Sequence, residues 1–176
     1  MKRLTHKIRD FGWSVSDSFA DTTTRQRIIK TTGIIIGVIA SIMVIMMVWW
    51  SIAPSEFDPT ENARIMASQQ QQQLVTGYTS TATLITLAEK LLDKPGGYLS
   101  NDVMPPSVWM DNIPRWEFGV LVQIRDFARV LRNDISRSQS QSREDEDLAI
   151  AEPQFNFNSN SWLFPPTERE YRAGIK

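Results

Sequence analysis

Catalysis in water needs groups that exchange protons or attack, and this chain offers few of the usual ones. It has no cysteine, and its single histidine is His6. Thiol nucleophiles, disulfides and cysteine-ligated metals are therefore excluded. A Ser-His-Asp triad, a His-ligated zinc or a histidine general base would each have to use His6. What remains for proton transfer is carboxylates. Asp102, Asp111 and Glu117 could pair as acid and base in a carboxylate-based hydrolase. Such spacings arise by chance in nearly any chain, and no Ser-x-x-Lys supports a Ser-Lys hydrolase. We expect no catalytic residue, no metal ligand and no cofactor.

Binding chemistry is better represented. Trp109, Trp116, Phe155, Phe157 and Trp162 are candidate partner-binding aromatics, because large rings dominate interface energetics. The same residues would serve equally as the core of a small domain. Arg125, Arg129 and Arg132 recur at i, i+4 and i+7, so one helical face would carry all three. That stripe could dock an acidic partner or a lipid phosphate. It could equally be a solvated face, neutralised by the acidic run Glu144–Asp147. Gly33, Gly37 and Ser41 recur every four residues, a spacing that lets two membrane helices approach closely. The overall charge of −1 and the scattered arginines argue against a nucleic-acid partner.

The elements that would hold these residues begin with a stretch between Lys30 and Glu56 that contains no charge. Its apolar heart, Gly33 to Trp50, has no proline and can cross a hydrocarbon core of roughly 30 Å as a helix. Residues 31–53 are expected to form a transmembrane helix. Before it lie Lys2, Arg3, Lys7, Arg9, Arg25, Arg27 and Lys30 against Asp10, Asp17 and Asp21, a net of +4, which leaves −5 for the rest. The positive-inside rule then keeps the N-terminus cytoplasmic and exports the residues beyond the helix. The long basic lead and the bulky WWSIAPSEF favour an uncleaved signal anchor over a cleaved signal peptide.

Residues 1–30 form the cytoplasmic segment. Leu4, Ile8, Phe11, Val15 and Phe19 make an apolar stripe among basic residues there, which fits either a helix on the anionic inner leaflet or a topology-setting tail. Asp21–Arg27 reads as a polar hinge capping the membrane helix. Residues 54–78 read as a linker and a Gln-rich helix running from Thr60 toward Val75, broken at Gly77.

Residues 79–176 read as a helical exported domain. Thr79, Ser80 or Thr81 would cap a helix whose face is Leu84, Ile85, Ala88, Leu91 and Leu92, ended by Pro95-Gly96-Gly97. A further helix is expected over Trp116–Asn133, with Trp116, Val120, Leu121, Ile124, Phe127, Ala128 and Leu131 on one broad apolar face. Ser136–Asp147 is either a flexible linker or an exposed helical extension. Phe155–Pro166 is expected to be extended and to pack its aromatics on the helices. The last ten residues begin another helix. The fold class is thus mostly α: one membrane helix, then a small helical domain with Pro- and aromatic-rich loops.

From Thr79 to Phe157 the chain resembles the family called domain of unknown function 2333, and the DKPGGYLSND stretch carries the most distinctive part of the likeness. The resemblance extends weakly to Tyr171–Ile175. It implies a single-span inner-membrane protein of a Gram-negative envelope, with a largely helical periplasmic domain, and it implies no activity. Members of that family are longer, so the resemblance also implies a shortened form with an apolar face left exposed. The reading reached is a structural or interaction protein that meets membrane lipids through its anchor and a protein partner, or a second copy, through its exported domain. A lipid- or envelope-surface-binding accessory protein is the alternative.

Overall fold

The computed structural model describes residues 22–135 and 144–176. The N-terminal amphipathic stripe and residues 136–143 of the Ser136–Asp147 segment lie outside the described residues. Six α-helices and no strand occur among the described residues. They are α1 (Thr22–Trp50), α2 (Pro59–Gln70), α3 (Tyr78–Asp93), α4 (Asn112–Val130), α5 (Glu146–Phe155) and α6 (Thr167–Ile175). A 3-10 turn at Ser107–Trp109 precedes α4, and a π turn at Leu131–Ile135 extends it. The chain divides into two compact units between Ile45 and Met46.

The first unit holds most of α1. This helix has 29 residues, none buried, and at about 1.5 Å per residue it is long enough to cross a bilayer. It begins earlier than the sequence suggested: Thr22–Arg27 is helical rather than a hinge, since nothing in TTTRQR breaks a helix. Ser41 Oγ donates to the Gly37 carbonyl at 2.8 Å, which satisfies a hydroxyl within the helix itself. A methyl group added at Gly33 or Gly37 would meet nothing within 4 Å.

The second unit is a bundle. Asp58 starts α2 by accepting from the backbone of Thr60 (2.7 Å) and Glu61 (2.9 Å), with Pro59 in the first turn. That helix stops at Gln70, short of the expected Val75. Gln71 takes a left-handed conformation (φ 54°), and Gln72 closes the end by donating to the Ala67 carbonyl at 2.9 Å. Gly77 (φ 91°) then opens α3 at Tyr78, so no hydroxyl of Thr79, Ser80 or Thr81 caps it. Asn62 Nδ2 donates to Thr86 Oγ1 at 2.8 Å and Lys90 Nζ to the Ser55 carbonyl at 2.9 Å, which sets α2 antiparallel to α3.

Lys94 is extended, the conformation favoured before a proline, and Gly96 (φ 87°) and Gly97 (φ 72°) turn the chain back. The next helix starts at Asn112, four residues ahead of Trp116, because Pro114 is tolerated in a first turn. It packs antiparallel to α3, burying Leu121, Ile124 and Ala128 against Leu84, Ala88 and Leu91. Phe155 and Tyr171 close the core from α5 and α6.

No periodicity in the sequence marks α5. It is short, and Pro153 lies inside it. Its start is nevertheless well specified: Asp145 accepts from the backbone of Asp147 (3.1 Å) and Leu148 (3.0 Å), ahead of an acidic first turn. The segment after it is irregular, as expected, but it packs its aromatics only in part. Phe155 and Phe157 turn inward, whereas Trp162 is exposed and Phe164 is 92 % exposed.

Candidate functional site

Chemistry concentrates where α3 ends and α4 begins. The Lys94 ammonium lies 2.5 Å from Glu117 Oε1, and neither side chain has any solvent exposure. Glu117 also accepts from the backbone N–H of Leu99 (2.9 Å) and Ser100 (2.8 Å) and from Ser100 Oγ (2.5 Å). Lys94 donates in turn to the Gly97 carbonyl. One carboxylate thus binds the ammonium and three loop donors, which fixes the DKPGGYLS turn over the first turns of α4. Removing two charges from water is costly, and a buried pair of this kind persists only when its remaining hydrogen bonds are made. The ammonium and the donors that meet Glu117 supply them.

Next along the chain, Asn101 joins two loops. Its Nδ2 donates to the Ser161 carbonyl (2.9 Å) and to Glu168 Oε2 (3.0 Å), while its Oδ1 is buried without a hydrogen-bond partner. Thr167 Oγ1, fully buried, accepts from the Ser161 backbone N–H (3.1 Å) and lies 2.8 Å from the Asn158 carbonyl, to which it donates. The Tyr98 ring meets Tyr171 edge-on, with centroids 5.8 Å apart. Burial pushes the Tyr98 phenol well above its ordinary range, against the lowering effect of Ser100 beside it, and its hydroxyl meets no partner at good hydrogen-bond geometry. Burial also raises the Tyr171 phenol, opposed by the Arg125 charge.

The residues singled out from sequence are dispersed among several settings. Arg125 Nε donates to the Phe155 carbonyl (2.8 Å), and its Nη2 donates to the Phe157 carbonyl (2.8 Å) and the Tyr171 hydroxyl (3.1 Å). It caps the C-terminus of α5, where backbone carbonyls have no helical partner. Arg129 is exposed, 3.9 Å from Asp126. Arg132 meets Glu144 and, at 2.8 Å, Glu152. The three arginines therefore meet different partners. Phe155 is in the core, and Phe157 and Trp116 pack against it. Trp116 also lines a groove of about 400 Å³ with Pro54, Phe57 and Lys90. Trp109 and Trp162 are exposed on the two loops that Asn101 joins.

The three carboxylates have distinct surroundings as well. Glu117 is committed to Lys94, and Asp111 is an exposed partner of Arg115 at 2.8 Å. Asp102 is half-buried, and burial raises its carboxyl pKa, against the lowering effect of a hydrogen bond with Ser107. No group of three acidic or histidine side chains placed to hold a metal occurs among the described residues. Sequence reasoning did not find Lys94, Tyr98, Asn101 or Thr167. Their only signal was the unusual DKPGGYLSND stretch, which holds three of the four.

No curated protein and no solved structure matches the chain. One family model does, over residues 23–176, which takes in every described residue of both units except Thr22. On that match the chain belongs to the family described as an uncharacterized protein conserved in bacteria, DUF2333.

Proposed function

We propose that this protein is a single-span, inner-membrane-anchored envelope protein that acts as a structural or interaction component. In this reading the N-terminus is cytoplasmic, α1 is an uncleaved signal anchor, and the bundle is periplasmic and binds a protein partner. The observation that carries it is α1: 29 residues with no buried side chain and no charge after Lys30. Such a surface is stable in lipid and costly in water. Catalysis has no part in the proposal. Two of the three candidate carboxylates are held in ion pairs, and His6 is the one histidine in the chain.

The test is purification of the tagged full chain from native membranes in mild detergent, after an alkaline carbonate wash. Retention through the wash and a stoichiometric co-purifying protein are expected. Release by carbonate would refute the anchor. Recovery of the chain alone would refute the partner and favour the accessory reading, in which the exported domain binds a lipid or envelope surface.

A further inference from the structure

Within the second unit, one end of the bundle gathers the C-terminus of α3, the N-terminus of α4 and the α5–α6 loop. Lys94–Glu117, Asn101–Ser161 and Asn101–Glu168 join these pieces. The last turn of α1 reaches the same end. Gly96 is so close to Trp50 that a Cβ there would lie 2.7 Å from the indole Cγ. Two loops project from this end, 103–110 and 156–166, and neither contains a charged residue. Their tips expose Val103 (58 %), Met104 (63 %), Val108, Trp109 (61 %), Leu163 and Phe164 (92 %). Asp111, the exposed acid just past the first loop, is paired with Arg115.

A monomeric domain rarely leaves so many neighbouring large apolar side chains in water. Uncharged loops with tryptophan and phenylalanine at their tips suit insertion at the headgroup–acyl boundary, where indole rings concentrate and below which charges become costly. Trp49 and Trp50, the last residues of the apolar helix, have the same character. We infer that loops 103–110 and 156–166 seat this end of the bundle in the lipid surface where α1 leaves the bilayer. The Asn101 bridge between the loops and the Glu117 clamp behind them hold the tips in place. The inference rests on the anchor reading of α1 and adds a second, peripheral membrane contact.

The chain has no cysteine, so each introduced one is a unique labelling site. Nitroxide labels would be placed at Met104→Cys, Trp109→Cys and Phe164→Cys in the full chain, reconstituted in phosphatidylethanolamine–phosphatidylglycerol vesicles. Val75→Cys and Ile135→Cys, from the groove at the opposite end, are the aqueous controls, and Ile39→Cys reports on the anchor. Collision with oxygen against a water-soluble nickel chelate reads lipid depth. Sites 104, 109 and 164 are expected to favour oxygen over nickel severalfold more than sites 75 and 135. Nickel access at 104, 109 and 164 with lipid access at 39 would overturn the seating alone. Exclusion of both reagents at those three sites would also overturn it, pointing to a second copy or a protein over the loops. Nickel access at 39 would overturn the anchor, and the seating with it.

Discussion

Replacing Glu117 by alanine should unfold the DKPGGYLS turn and much of the bundle's stability with it. The side chain is completely buried, so its loss leaves the Lys94 ammonium in the interior with only the Gly97 carbonyl as partner. Breaking a buried pair from one side costs about 3–5 kcal/mol. The backbone donors of Leu99 and Ser100 and the Ser100 hydroxyl lose their acceptor as well. Each orphaned donor adds about 1–3 kcal/mol if water cannot reach it. These costs share one cavity and do not add, so about 4 kcal/mol is the working figure. For a unit of this size that corresponds to a fall in Tm of about 10–20 °C.

Lys94→Met removes the ammonium but leaves all three donors on the carboxylate, so it should cost less than Glu117→Ala. The double variant Lys94→Met/Glu117→Ala should fall well short of the sum of the two. It should stay below the wild type by about 1–3 kcal/mol, because the loop donors remain orphaned. Thermal unfolding of the full chain in mild detergent, followed by near-ultraviolet circular dichroism, measures all three. A Glu117→Ala shift of less than about 3 °C would refute the clamp. Equal costs for the two single variants would refute the role given to the loop donors.

Further outcomes follow from other contacts in the bundle. Tyr98→Phe removes a buried hydroxyl that has no well-placed hydrogen-bond partner, so it should be neutral or stabilising by up to about 1 kcal/mol. The raised Tyr98 pKa means that the native state holds its proton longer than the unfolded chain does. Stability should therefore be whole below pH 10.0 and decline above it, and Tyr98→Phe should flatten that decline in melts taken from pH 8 to 11. Gly96→Ala should destabilise more than Gly77→Ala. Both have positive φ and carry about 1 kcal/mol or more of backbone strain, but only Gly96 also drives a methyl into Trp50; equal Tm losses would remove that contact from the account. Phe155→Ala should cost about 3–5 kcal/mol as a core cavity, and Arg125→Met about 1.5–3 kcal/mol, whereas Phe164→Ala should change urea stability by less than about 0.5 kcal/mol.

Local architecture was legible in the amino-acid sequence. The uncharged run to Trp50, the 3.6-residue periodicity of Leu84–Leu92 and Trp116–Leu131, and the Pro95-Gly96-Gly97 stop each act within a few residues. Their outcome therefore needs no knowledge of the rest of the chain. The same holds for the start of α6 near Thr167. Where a local signal was weak, the boundary slipped. Gln71 ended α2 early through a left-handed cap that a glutamine does not advertise, and Pro153 concealed α5 despite the Asp145 cap ahead of it.

Which polar groups serve the interior was set by tertiary contacts alone. Sequence spacing grouped Glu117 with Asp102 and Asp111 as a possible acid–base set, and nothing in it assigned Lys94 a role. Their burial depends on the turn at Gly96–Gly97 bringing donors from Leu99 and Ser100 onto one carboxylate. Arg125, Arg129 and Arg132 share one spacing rule, but α5 lies beside two of them and not the third, and that separates their roles. Phe155 and Phe164 are chemically identical, and one is core while the other is almost wholly exposed. Periodicity is a property of neighbours along the chain. Burial of a charge or a ring depends on what the fold brings to it from many residues away.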